Sequence, residues 1–435
     1  MFWFSLLACG QPRCAVDVSD VHTVLRADVE TPRPERLRVV WEAEGQERST
    51  PLEETATTSH RHFLLDLAPL VDVAWRVLDD NDAEVCAGES ATQNLPPGTP
   101  AFATTGPPES VPPYWLIAMS DVSAGDLMSH LGLLRSDGTW IWSYDHPNAN
   151  EHVISADLTE AGVRFNRFDA RRVEDIATIE TVAMDGSAVA SARTPLAHHF
   201  FAALDGGKIA YLKADARIDG VFGCVVGDTL VERAADGSER EIWSAWDALP
   251  LLPGEVWEEG FYPGCKDWTH GSGLTWRRSD ETLLVSLMGV KQVVHVDRET
   301  GATLEVFGPR GTLPPGPGSP VFQVPHNATW SAAGDLLVFD SHDVPFEESG
   351  CYRYKIEREA GLIVNDRRWV DGEHLGLYLG GVSELPDGQV LCTWSSDGFA
   401  RVFRPDETVP SYELRVNGLF QFGTVRPYEA LPGLR

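Results

Sequence analysis

His199, His270 and His326 stand at one point of a recurring pattern, and that recurrence is the clearest chemical signal in this 435-residue chain. "HHFFAALDGGKIAYL" (198–212), "HNATWSAAGDLLVFD" (326–340) and "GGVSELPDGQVLCTW" (380–394) superpose without gaps when His199, His326 and Gly380 are aligned. In each, ten residues lead from the anchor to the first apolar residue after the turn, which is Ile209, Leu336 or Val390. "HGSGLTWRRSDETLLVSL", beginning at His270, follows the same plan with a turn three residues longer. A single histidine in such a setting is ordinarily a structural residue, but three at equivalent points converge if their units are arranged about one axis. Imidazole nitrogens bind zinc or copper. They can also share the roles of nucleophile and proton carrier, because histidine titrates near neutral pH. Asp340 and Asp343 in "VFDSHDV" suit either the orientation of an imidazole ring or an ordinary strand-end turn.

The elements that must position these side chains are strands. From Tyr114 onward the chain alternates apolar strands with Asp-Gly or Thr-Gly turns, as in "LLRSDGTWIWS", "VAMDGSAV", "VDRETGATLEVFG" and "SELPDGQVLCTW". Repeated small antiparallel sheets predict a β-propeller over residues 114–435. Six blades are expected, with the strand around "LFQFGTVRP" completing the first. A long insertion between Trp243 and Trp268 interrupts the period, as a lid or pocket wall does. Residues 14–95 read as short alternating strands, an immunoglobulin- or fibronectin-like β-sandwich. Residues 96–113, dense in Pro, Gly and Thr, read as an extended linker. The expected fold class is therefore all-β.

The composition bounds the function. A formal net charge of -30 repels phosphate backbones and disfavours nucleic-acid binding. No apolar stretch reaches the roughly 20 residues that a membrane-spanning helix needs. Residues 1–13 form a short signal-like segment, and "LLAC" has the form of a lipobox that would lipidate Cys9. An exported chain, periplasmic or anchored to the outer membrane through Cys9, follows from that reading. The remaining six cysteines form an even set that permits disulfides, and Cys14 with Cys86 would staple the ends of the N-terminal domain. No CxxC occurs, so a zinc ribbon is not expected.

The motifs "KDWTHGSGLTWRRSDETLLVSL", "HNATWSAAGDLLVFDSHD" and "HHFFAALDGGKIAYL" resemble the blade motifs of bacterial arylsulfotransferases, and "GGVSELPDGQVLCTWSSDG" resembles the blade that follows them. The likeness covers most of residues 114–430. It implies an enzyme that moves a sulfuryl group from an aryl sulfate to a phenol by ping-pong kinetics through a sulfohistidine, without a cofactor or metal. His326 matches the family's nucleophile, and His270 and His199 match its flanking pocket histidines. Trp268 and Trp330 are candidates to stack on aryl rings. The family arginine that would hold the sulfate oxygens is replaced by Met288, for which Lys291 or Arg277 are the possible substitutes. That replacement leaves a second reading open, a non-catalytic or metal-holding propeller that binds a ligand at the same face.

Overall fold

The structure, a computed structural model, describes residues 10–121, 128–146, 151–169, 176–256, 262–341, 348–372, 374 and 376–434. Cys9 and Asp343, singled out above, lie outside the described residues. The chain is nearly all-β and propeller-like, its described residues forming eight sheets. Two of these belong to the N-terminal part. Arg13–Val18, Leu25–Glu35 and Thr57–Leu64 make one, and Arg38–Ala43, Gln46–Ser49, Asp72–Leu78 and Glu84–Ala91 make the other. They share one apolar core built on Val29, Leu64, Trp41 and Trp75. A disulfide between Cys14 and Cys86 ties the first strand of one to the last strand of the other.

The remaining six sheets follow in chain order. Sheet 3 (Ala197–Ala203, Ile209–Asp219, Gly223–Arg233, Glu239–Ser244), sheet 4 (Gly271–Arg277, Thr282–Leu287, Gln292–Asp297, Thr303–Phe307) and sheet 5 (Pro325–Trp330, Leu336–Asp340, Gly350–Glu357, Leu362–Val370) are antiparallel meanders. Sheet 2 is built on Gly162–Asp169 and sheet 6 on Val390–Trp394. In sheet 1 the order is broken, because Phe420–Tyr428 from the C-terminal end pairs with Tyr114–Asp121 from the beginning. The first strands of sheets 3, 4, 5 and 6 pack one against the next. Strands of all six sheets, represented by Asp157, Ala202, Thr275, Thr329, Ser383 and Val425, line one cavity of about 430 Å³.

Burial explains the sequence pattern. The second strands of sheets 4, 5 and 6, "TLLVSL", "LLVFD" and "VLCTW", are buried at every position. Neighbouring sheets cover both of their faces, so they read as continuous apolar runs instead of alternating ones. The outer strand Ala188–Arg193 is mostly exposed, and apart from Val189 its residues are polar or small. The hairpin turns at Gly334 and Gly388 need φ of 83°, which costs glycine nothing.

The expected linker is more than a spacer. Phe102–Thr105 pairs with Pro410–Val416 as a fifth strand of sheet 6, covering what would be a bare sheet edge. Phe102 packs its ring on Trp140 and Phe422, at 5.6 and 6.2 Å between centroids, which recruits this proline-rich segment to the sheet. The N-terminal part is also bound firmly. Val21, Val24 and Leu65 share a core with Leu116 and Trp142 of sheet 1, and Arg135 bonds both Asp66 (2.6 Å) and Glu44 (2.7 Å).

Candidate functional site

Each of the three histidines lies where a first strand begins and its pairing slips. The register shifts between His198 and Phe201 in sheet 3, between Gly271 and Gly273 in sheet 4, and between His326 and Thr329 in sheet 5. His199, His270 and Asn327 take left-handed backbone conformations, with φ of 52°, 45° and 39°. The bulge therefore places Asn327, not His326, at the backbone position of His199. His326 pairs with Phe339 as His198 pairs with Leu212, so the partner of His326 in the pairing pattern is His198. The gapless superposition holds along the hairpin and fails by one residue at the bulge.

The rings come together. His199 and His270 meet edge to face with centroids 4.9 Å apart, and His198 and His199 do so at 5.1 Å. His198 Nδ1 and His199 Nδ1 share a hydrogen at 2.9 Å, and His198 Nε2 lies 2.8 Å from Asp228 Oδ1 as an ion-pair contact. Asp228 Oδ2 accepts from the Thr269 hydroxyl (2.5 Å) and the Gly271 N–H (2.6 Å). Burial alone would raise the Asp228 carboxyl, but His198, the Thr269 hydroxyl and His270 outweigh it and hold the group below the usual range. His270 Nδ1 donates to Asp267 Oδ2 at 2.5 Å, which fixes its ring. From sheet 2, Asn166 donates to the His199 carbonyl at 2.8 Å and clamps the bulge.

The glycines of "HGSG" are required by this crowding. A Cβ on Gly271 would lie 3.1 Å from the Asp228 carboxylate, and one on Gly273 would lie 2.4 Å from the Asn327 backbone. Sheets 4 and 5 are further stitched by Ser272 Oγ to the Pro325 carbonyl (2.7 Å) and by the Ala328 N–H to Ser286 Oγ (2.9 Å). His326 is thereby held beside this seam at 2% exposure. Neither of its ring nitrogens has a hydrogen-bond partner among the described residues. Burial, then the charge of His270, push its imidazole down to about 3, against a weaker opposing pull from the Ser272 backbone. It is a neutral base with its lone pair uncommitted.

The other residues singled out from the sequence are placed differently. Trp268 is fully buried in the apolar core and packs against Trp246 at 4.9 Å. Trp330 pairs with Leu336 at the opposite end of its strand from His326, where Arg277 stacks on it at 4.3 Å. Arg277 also bonds Asp280 at 2.8 Å, so neither residue joins the histidines. Met288 is buried, and its N–H donates to the His270 carbonyl at 3.1 Å. Lys291 reaches Gln323 Oε1 at 2.5 Å, three residues before His326. Asp340 accepts the N–H groups of Gln323 and Val324 and so shapes the backbone entering His326. Gly380 replaces the histidine in sheet 6 because a Cβ there would meet the Phe339 ring at 2.2 Å.

Sequence reading missed His198, Asp228 and Asp267. Their signals were the "HH" doublet, an acid inside the apolar run "VVGDTL", and an acid three residues before His270. The insertion adds Tyr262, whose ring lies 6.3 Å from His198, and a disulfide from Cys265 to Cys224 anchors it.

No family model matches the chain, and no curated protein matches it. Among solved structures it is similar to a Bacteroides caccae protein of unknown function, with 13% identity over 72% of this chain and 98% of that one, at a TM-score of 0.45. A nidogen/laminin complex matches at 12% identity over 73% and 98%, TM-score 0.41. Streptogramin B lyase matches at 12% over 80% and 90%, TM-score 0.38. Likeness at this level carries no inference about function.

Proposed function

We propose that the histidine cluster is a sulfuryl-transfer centre of the arylsulfotransferase type, carried on a six-bladed β-propeller behind an N-terminal β-sandwich of immunoglobulin or fibronectin type. The observation that carries this reading is His326, buried and neutral beside His270, with no side-chain partner among the described residues and only the Ser272 backbone acting on its ring. A nucleophile needs an uncommitted lone pair in a water-poor site, and a ring that meets only one backbone group keeps its other nitrogen free. In the first half-reaction a His326 nitrogen attacks the sulfur of an aryl sulfate. The S–N bond forms, the S–O bond to the aryl group breaks, and the leaving phenolate takes a proton from His270. An acceptor phenol then returns its proton to His270 and attacks the sulfohistidine, regenerating His326. Asp267 keeps the His270 ring oriented through both steps. His199 and His198, backed by Asp228, complete the polar wall around the transferring group.

Three disulfides among the described residues, Cys14–Cys86, Cys224–Cys265 and Cys351–Cys392, support an exported location for this enzyme. Lipidation at Cys9, with anchoring to a membrane, belongs to the same proposal. A second reading, a binding or metal-holding propeller, is favoured by one observation. Met288 puts an apolar side chain where the family carries a guanidinium, and carboxylate-backed imidazoles are also the second layer of metal sites. Intact-protein mass after incubation with a chromogenic aryl sulfate separates the two. A gain of one sulfuryl group, discharged by added phenol and absent from His326→Ala, is the expected result; no adduct with any of a range of donors would leave the binding reading in its place.

A further inference from the structure

We propose that Glu53, His60 and His62 form a binding site for one zinc-like divalent cation between the two sheets of the N-terminal part, independent of the histidine cluster. On Thr57–Leu64 the buried positions alternate, so His60, His62 and Leu64 share the inward face. An apolar interior has no packing need for two adjacent imidazoles. Glu53, from the segment that enters this strand, faces both. Its Oε2 lies 2.7 Å from His60 Nδ1 and its Oε1 lies 3.3 Å from His62 Nε2. The three donor atoms all lie within 4.8 Å of one another.

The outer nitrogens are held as metal-binding imidazoles usually are. His60 Nε2 meets Thr31 Oγ1 at 3.3 Å, and His62 Nδ1 meets Thr50 Oγ1 at 3.4 Å. The Thr31 hydroxyl already donates to the Arg33 carbonyl at 2.8 Å, so toward His60 its oxygen accepts. His60 Nδ1 and Glu53 Oε2 are at hydrogen-bond distance, where either a proton or a metal ion can lie between them. A divalent cation would serve both histidines at once, whereas a proton serves one pair. The Leu37 N–H bonds Glu53 Oε2 at 3.1 Å and steadies the carboxylate. Glu53 is 21% exposed, which gives an ion a way in and leaves room for a water as fourth ligand.

Two imidazoles and one carboxylate with an open position match the preferences of zinc. Zinc–ligand distances of about 2.0–2.2 Å require the Glu53–His60 pair to open by about half an ångström. Thr50 and Glu53 follow the strand Gln46–Ser49 of one sheet, while the histidines belong to the other. A bound ion would thus act as a clamp across the core.

The test uses the full chain, freed of metal by a chelator and titrated with Zn²⁺ by calorimetry and with Co²⁺ by visible absorption. One ion bound with tetrahedral Co²⁺ bands is expected, with affinity reduced by about 100-fold or more in Glu53→Gln and His62→Gln and retained in His270→Gln. Equal binding by wild type and Glu53→Gln would overturn the proposal. If the variants do not fold, the wild type decides alone. Absence of Co²⁺ bands together with an unchanged urea midpoint on adding Zn²⁺ would leave a protonated histidine–glutamate network as the occupant.

Discussion

Replacing His326 with glutamine should flatten the acid dependence of folding stability. In the unfolded chain this imidazole titrates near 6.5, and in the folded protein burial and His270 hold it at about 3. The folded state thus binds the proton less readily than the unfolded state. The group's contribution is fully present above the unfolded value and is lost as pH falls from about 6.5 toward about 3. Each pH unit inside that window is worth about 1.4 kcal/mol, so going from about pH 8 to about pH 5 removes roughly 2 kcal/mol through His326 alone. With a urea m-value of about 3 kcal/mol/M, that is a midpoint shift of about 0.7 M. Glutamine keeps polar atoms in the site but does not titrate, so wild type and His326→Gln should diverge by that amount in paired urea titrations at the two pH values. Other acid-sensitive groups act equally on both proteins and cancel. Parallel curves would refute the reasoning, because they would mean that His326 exchanges its proton as freely in the fold as in the unfolded chain. Its account as a buried neutral nucleophile would go with it.

Other outcomes follow from the same geometry. Asp267→Asn removes a buried charge-assisted bond to His270 worth about 1.5–3 kcal/mol, and should lower kcat for sulfuryl transfer by about 10- to 150-fold with KM for the donor little changed, read by steady-state kinetics. Gly273→Ala puts a Cβ against the Asn327 backbone and should cost about 1–3 kcal/mol, seen as a lower urea midpoint together with loss of the sulfuryl adduct. Selective reduction of Cys224–Cys265 frees the segment leading into Asp267, and hydrogen exchange over residues 262–270 should quicken while that of Gly271–Arg277 does not.

The strands and hairpins were readable because doubly covered strands announce themselves as apolar runs and Asp-Gly turns punctuate them. The convergence of His199 and His270 was readable because period and chemistry coincide. What the sequence hides is the bulge. One extra residue moves His326 out of step with His199 and into step with His198, and no local composition marks which residue is left over. The sequence does not show where Trp268 and Trp330 go: the fold puts Trp268 in the apolar core and Trp330 at the far end of its strand from His326. Asp228 acts through space from the third strand of its sheet, 41 residues before Thr269, a pairing visible only after folding. The edge strand Phe102–Thr105 was obscured by the prolines around it.

The pairing of Phe420–Tyr428 with Tyr114–Asp121, and of Phe102–Thr105 with Pro410–Val416, sets the order of events as the chain is made. The two halves of this seam are separated by roughly 300 residues, which a ribosome takes about 15–60 s to add. Sheets 2 to 5 are built from contiguous stretches, but the apolar edge of sheet 1 must wait for Phe420–Tyr428. Until then it is a template for any passing strand, and a prematurely ended message would leave it so. The unpaired edge thus marks the aggregation-prone stage of folding, which lasts until Phe420–Tyr428 docks.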